Sequence, residues 1–238
     1  MPDRQGPMKT LFISGTNTGI GKTVAAAWLC RELSESGKAC AYVKAVQTGG
    51  IPTASDELLS VDLEYVKKSA PQLKATFCGD NFLLPASPHL SAAEENRPIE
   101  SQKLLRKIQS FSQEQELDFL IIEGAGGLAV PLNDETDMLD LCAELEAQLI
   151  LVTTTGLGTL NHSFLSHNYA NQKIQNPALT IINRCTDEKA IIEADNIMQI
   201  KKLGPHLATL PLLKDLDTEG ELPLPKSFQA EFQQMDLL

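Results

Sequence analysis

Gly15-Thr16-Asn17-Thr18-Gly19-Ile20-Gly21-Lys22-Thr23 lies between the apolar run Leu11-Phe12-Ile13 and a helical pattern that begins at Val24. A phosphate-binding loop has to sit in that place, at the turn from a hydrophobic strand into a helix. Small residues let successive backbone N–H groups turn inward onto phosphate oxygens, Lys22 adds a point charge, and Thr23 offers a hydroxyl to Mg²⁺. The strict pattern Gly-x-x-x-x-Gly-Lys-Ser/Thr calls for glycine where Thr16 stands, so the loop is a variant. A Gly-rich turn carrying a surface lysine is the competing reading. The strand before and the helix after favour the phosphate loop and predict that the chain binds a nucleoside triphosphate.

Outward from this loop, short β-rich runs alternate with longer amphipathic stretches, the pattern of a parallel sheet with crossover helices. Strands are predicted at 10–14, 39–46, 119–123, 149–154, 179–183 and 207–210, and helices at 22–36, 56–69, 101–115, 138–147, 160–172 and 188–203. Gly37 and Gly204-Pro205 act as helix stops. The Pro-rich, aperiodic stretch 77–98 predicts a long loop, read as a functional lid or interface. The expected fold is α/β, a mostly parallel central sheet flanked by helices on both faces. With 238 residues and 42% hydrophobic content, one domain over 9–238 is expected, after an N-terminal extension at 1–8 and with a polar tail beyond Leu213.

Thirty-one acidic against twenty basic residues give a formal charge of −11, which argues against a nucleic-acid-binding surface. Cysteines at 30, 40, 78, 142 and 185 form no CxxC pair and no regular framework. They read as reduced, mostly core thiols of a cytoplasmic protein. No apolar run approaches the ~20 residues of a membrane span. The N-terminal residues are polar, without the apolar segment of a signal peptide.

Phosphoryl transfer needs a metal held opposite the phosphate loop, usually by a carboxylate at the end of a hydrophobic strand. Leu120-Ile121-Ile122-Glu123 supplies one, and Gly124-Ala125-Gly126-Gly127 lets backbone approach a ligand just beyond it. A glutamate capping a strand-end turn is the other reading of Glu123. Lys44, after Ala41-Tyr42-Val43, either points into the same crevice to neutralise phosphoryl charge or is solvated. Asp62 is either a second acidic ligand or an ordinary exposed residue of a helix. His89 reads as a loop packing residue.

Five segments together resemble dethiobiotin synthetase. They are Gly-Thr-x-Thr-x-x-Gly-Lys-Thr at 15–23, Lys-x-Val-Gln-Thr-Gly at 44–49, Ser-Pro-His at 87–89 followed by Arg97-Pro98-Ile99-Glu100, Glu-Gly-Ala-Gly-Gly at 123–127, and Leu-Gly-Thr-Leu-Asn-His at 157–162. The resemblance implies a P-loop NTPase fold and an ATP- and Mg²⁺-dependent cyclo-ligase of biotin biosynthesis. Such an enzyme closes the ureido ring from 7,8-diaminopelargonate and CO₂ through a carbamate and a carbamic-phosphoric anhydride. It implies Thr23, Asp62 and Glu123 as Mg²⁺ ligands, and Lys22 and Lys44 as the catalytic cations. Gly19, Ile20, Gly21, Val24, Gly124, Ala125 and Gly126 then surround the nucleotide. Asn183 reads the adenine edge, with Arg184, Pro211, Leu212 and Leu213 lining the base pocket. Thr18 and Thr48 contact the diamine. The substrate carboxylate reaches across a homodimer interface to the helix start at Gly158, Thr159, Leu160 and Asn161.

Four positions depart from the family pattern. Ala45 replaces a proline, for which a looser turn after Lys44 is expected; Gly19 stands where some members carry Glu, Thr159 where Cys is frequent, and Arg184 is not the usual neighbour of Asn183. Two other readings compete. A partition- or septum-type switch ATPase shares this architecture but usually places a lysine early in the loop, where Thr16, Asn17 and Thr18 stand. A non-catalytic regulatory relative could lose any of Lys22, Thr23, Lys44, Asp62 and Glu123, all of which are present.

Overall fold

The computed structural model describes residues 7–184 and 189–212. The phosphate loop links β1 (Lys9–Gly15) to α1 (Lys22–Glu35), which returns through β2 (Cys40–Thr48). A short antiparallel pair, β3 (Ile51–Pro52) and β4 (Leu58–Leu59), precedes α2 (Val61–Ser69). There follow β5 (Ala75–Phe82), α3 (Pro88–Glu94), α4 (Ser101–Gln113), β6 (Phe119–Gly127), α5 (Met138–Glu144) and β7 (Gln148–Thr154). The described chain closes with α6 (Thr159–Ala170), β8 (Leu179–Asn183), α7 (Ala190–Ile200) and β9 (His206–Leu210).

Seven of these strands form one sheet in the order β5-β2-β6-β1-β7-β8-β9, every pairing in it parallel. Strands covered on both faces read as continuous apolar runs, as β1 and β6 do. From β1 the chain steps one way to β2 and β5, then back across to β6, β7, β8 and β9. Right-handed crossovers put the connecting helix on a face set by the direction of the step. Accordingly α1 and α2 cover the face that carries Leu11, Ile13, Tyr42 and Ile121. Helices α3 to α6 cover the face that carries Phe12, Val43, Leu120 and Ile122, and α7 packs beside α6. The direction reverses around β1, so a crevice opens at the carboxyl ends of the central strands, where open α/β sheets bind ligands.

Three sequence expectations are corrected. The predicted helix 56–69 begins only at Val61: Asp56 has φ +62°, residues 51–59 make the small hairpin, and Ser60 caps the helix by accepting from the Leu63 N–H at 3.3 Å. The long loop predicted at 77–98 is mostly regular. Residues 75–82 form the edge strand β5 on β2, and 88–94 form α3, with Pro88 in the first turn, where its missing N–H costs nothing. The polar run Cys78-Gly79-Asp80-Asn81 hid the strand, because an edge position is only half buried and carries no apolar alternation. Finally, Ala45 lies inside β2, fully buried, so no turn follows Lys44.

Gly79 shows why a glycine interrupts β5. A Cβ there would stand 2.3 Å from the Ala45 carbonyl oxygen and 2.5 Å from Leu104 Cδ1. Gly79→Ala is therefore expected to cost about 1–3 kcal/mol by overpacking, read as a lower urea midpoint with an unchanged slope. An unchanged midpoint would mean that β5 can move off β2 freely.

On β9, burial and then the Lys201 charge pull the His206 imidazole down to about 4. The unfolded chain, with the ordinary value near 6.5, binds that proton first. Stability is thus expected to fall as pH drops from 6.5 towards 4. His206→Gln should flatten the decline, and a parallel decline in urea midpoints across that window would refute the assignment.

Candidate active site

The loop 15–21 is held in shape by its glycines and by two anchors. Gly19 and Gly21 take φ of +73° and +89°, the left-handed region where a side chain is strained. Thr16 donates its N–H to the Val152 carbonyl at 2.9 Å. From the end of β8, two strands along the sheet, Asn183 Nδ2 donates to the Ile20 carbonyl at 2.9 Å. Lys22 starts α1 and curls back so that Nζ donates to the Asn17 carbonyl at 3.1 Å. Its burial, only partly opposed by Glu123, pulls the ammonium down to about 8. A phosphate beside it would restore the full charge, because an adjacent anion favours the cationic form.

Parallel register aligns the rest. Lys44 on β2 pairs directly with Glu123 on β6, so both side chains leave the sheet on the α1 face. Glu123 is fully buried. Its Oε1 accepts from the Thr23 hydroxyl at 2.9 Å and from Lys44 Nζ at 2.7 Å, and its Oε2 accepts from the Tyr42 hydroxyl at 2.8 Å. Lys44 Nζ also reaches Asp62 Oδ2 at 2.6 Å and the Gly124 carbonyl at 3.2 Å. Burial opposes the charge on Lys44, but the Glu123 and Asp62 carboxylates outweigh it and hold the ammonium above its usual range. Of the two readings of Glu123, the turn cap falls away: β6 runs on to Gly127, and the carboxylate is inside the cluster.

Asp62 is placed by a residue that motif reading passed over. Gln47, buried near the end of β2, accepts at Oε1 from the Ser60 hydroxyl at 2.8 Å and from the Asp62 N–H at 3.4 Å, and donates to the Thr48 carbonyl at 2.7 Å. The start of α2 is thereby fixed over Lys44. Gln47 and Tyr42 were both visible in the sequence, one inside the motif at 44–49 and the other two positions before Lys44, hence on the same face of the strand.

Thr18, Gly19, Gly21, Lys22, Thr23 and Lys44 open onto one cavity of about 450 Å³, shared with Thr48, Asp62, Glu123, Ala125 and Gly126. The predicted residues at 158–161 do not line it. Gly158, at φ +89°, caps α6, and Thr159 is buried, its hydroxyl donating to the Thr154 carbonyl at 2.8 Å and its N–H to the Gly156 carbonyl. Leu160 and Asn161 face outward. Arg184 is drawn into a two-pronged contact with Glu193 of α7 at 2.7 and 2.6 Å. Pro211 and Leu212 follow β9, half buried, and Leu213 lies outside the described residues. His89 is an exposed residue of α3.

Among the described residues no three His, Cys, Asp or Glu side chains are grouped to hold a metal. The Thr23 hydroxyl and the Asp62 and Glu123 carboxylates nevertheless make an all-oxygen set that already gathers a cation, the Lys44 ammonium. Oxygen donors of that kind suit a hard divalent ion that keeps waters or phosphate oxygens among its ligands.

A AAA domain family profile matches residues 9–220. ATP-dependent dethiobiotin synthetase BioD of Wolinella succinogenes is 38% identical over 187 residues, spanning 78% of this chain and 85% of that protein. The protein of the same name from Geobacillus sp. (strain WCH70) is 32% identical over 237 residues, spanning 97% and 96%. Among solved structures, a putative plasmid partition protein of Borrelia burgdorferi bound to AMPPNP superposes with TM-score 0.60 at 14% identity, over 98% of both chains. A ParA family ATPase of Chlorobium tepidum superposes with TM-score 0.55 at 18% identity, over 97% of this chain and 94% of that one. At such identities the likeness is one of fold.

Proposed function

The chain belongs to the dethiobiotin synthetase family, and on that premise we propose that the cavity under the phosphate loop closes a ureido ring with ATP and CO₂. It is an ATP-dependent ligase of biotin biosynthesis acting on 7,8-diaminopelargonate. Residues 9–238 form one synthetase domain, and the family match over 9–220 supports it. The observation that carries the mechanism is the juxtaposition of Lys22, Lys44, Thr23, Asp62 and Glu123 around a single cavity.

One substrate amine captures CO₂ as a carbamate. A carbamate oxygen attacks the γ-phosphorus, ADP leaves, and the second amine attacks the activated carbonyl carbon, expelling phosphate and closing the ring. Backbone N–H groups of the loop from Gly19 to Thr23, continued at Val24, hold the phosphates. Lys22 and Lys44 spread the charge that develops on the transferred group, and burial strengthens both. Thr23, Asp62 and Glu123 would hold Mg²⁺, which when bound neutralises phosphate charge and orients the oxygens. Thr18 and Thr48 offer hydroxyls to the diamine, and Asn183 keeps one amide edge for adenine while the other braces Ile20. Gly124, with Arg184, Pro211 and Leu212, completes the nucleotide's surroundings. Arg184 serves there through its backbone and stem, since its guanidinium is committed to Glu193.

The active form is a homodimer. Leu157 just before α6 and Phe164 and Leu165 at its middle are 79%, 55% and 57% exposed, apolar surface following β7 that a second copy would cover. The partner's residues 158–161 then receive the substrate carboxylate. The protein works in the cytoplasm, and its net charge of −11 speaks against a nucleic-acid partner. No helix of the described residues is long and apolar enough to cross a membrane.

Phosphate release from Mg·ATP with bicarbonate, with and without the diamine and with mass detection of the cyclised product, tests the reading. Diamine-dependent release with product supports it. Diamine-independent release would point to a switch ATPase, and silence to a regulatory domain.

A further inference from the structure

We propose that Tyr42 is a positioning residue that divides the two oxygens of Glu123, holding Oε2 beneath the sheet face so that Oε1 alone is presented to the metal site. Tyr42 is fully buried, in the core between β2 and α1, and its hydroxyl donates to Oε2 at 2.8 Å. Thr23 and Lys44 both address the other oxygen, Oε1. A fully buried carboxylate with one oxygen unpaired would be free to rotate. A donor that faces that one oxygen removes the freedom, because buried acceptors left unsatisfied are costly.

The arrangement follows from strand geometry. Tyr42 sits two residues before Lys44, so the two side chains rise from the same face of β2, and β2 lies beside β6 in parallel register with Lys44 opposite Glu123. The hydroxyl therefore comes at Glu123 from one residue pair deeper in the sheet, on the side away from the cavity. Tyr42 does not line that cavity. Residues that orient a metal's ligands from behind commonly tune affinity by about 10–100-fold.

The inference rests on the reading of Glu123 as a metal ligand, and the test separates the two. Mn²⁺ binding to the ADP complex would be measured by electron paramagnetic resonance for wild type, Tyr42→Phe and Glu123→Gln, beside KM values for ATP and diamine. Tyr42→Phe is expected to weaken Mn²⁺ binding roughly tenfold, to raise the Mg²⁺ needed for half-maximal turnover in parallel, and to leave the KM for ATP within about twofold. Turnover should recover at high Mg²⁺, which a loosened core would not allow. Lower thermal stability with unchanged Mn²⁺ affinity overturns the positioning role. Unchanged affinity in Glu123→Gln overturns the metal assignment and the inference with it. If Tyr42→Phe is insoluble, 3-fluorotyrosine in a Tyr65→Phe, Tyr169→Phe chain leaves Tyr42 as the reporter. A ¹⁹F shift on adding Mg²⁺ to the ADP complex supports the role, and a resonance indifferent to Mg²⁺ overturns it.

Discussion

Lys44→Met is expected to lower kcat by about 10²–10³-fold, the loss typical when one preorganised charge at a reacting group is removed, while the Kd for Mg·ATP moves by no more than a few-fold. The argument is positional. Lys44 lines the same cavity as the phosphate loop and Lys22, and its ammonium is buried and doubly paired with Asp62 and Glu123. Lys22 and the loop's N–H groups remain to bind the nucleotide. A second signature separates catalysis from structure. Without ligand the variant leaves Glu123 buried beside Asp62 with no cation between them, a defect costing up to about 3–5 kcal/mol. Its melting temperature should therefore drop in the free protein and recover substantially with Mg·ATP. If kcat/KM and ATP affinity fall together by the same factor, Lys44 serves binding alone.

The second large effect concerns the loop. In Gly21→Ala the new Cβ would lie 2.0 Å from Asn183 Nδ2, at a backbone φ of +89°. Relief requires either breaking the Asn183 brace on Ile20 or twisting the first turn of α1, and either shifts the N–H groups that face the phosphates. Strain of about 1–3 kcal/mol at such a site corresponds to a loss of ATP affinity of roughly 5–150-fold. Gly19→Ala is the control. Its φ is also positive, at +73°, but nothing stands within 4 Å of the added carbon, so a smaller loss is expected. Calorimetric titration of both variants with Mg·ATP gives the comparison. Gly21→Ala binding as tightly as wild type would remove the loop from the nucleotide site.

Strand and helix placement followed the sequence closely where the core demanded apolar residues on both faces, as at 149–154 and 179–183. It failed where the chain runs along an edge. Strand β5 is built from Cys78, Gly79, Asp80 and Asn81, and nothing in their local pattern separates an edge strand from a loop. Residues 56–60 failed for a different reason: Asp56 in the left-handed region and Ser60 as cap are turn chemistry that the helical spacing of later residues overrode. At the site, Lys22 and Thr23 were legible from local context, whereas Glu123, Lys44 and Asp62 each carried two readings, and for Glu123 it was the run of β6 on to Gly127 that removed the turn cap.

What the sequence determined by itself is local: a strand, a glycine-rich turn and a helix carrying Lys22 and Thr23, and a carboxylate closing an apolar run. Those signals lie within about a dozen residues, where periodicity and backbone freedom act directly. What only the tertiary structure decided is long-range. Lys44 meets Glu123 across 79 residues and Asn183 meets Ile20 across 163, contacts made by parallel pairing of β2 with β6 and by the seating of β8 near the loop. Parallel register depends on crossover helices and on the burial of both sheet faces, and no short stretch of chain encodes it.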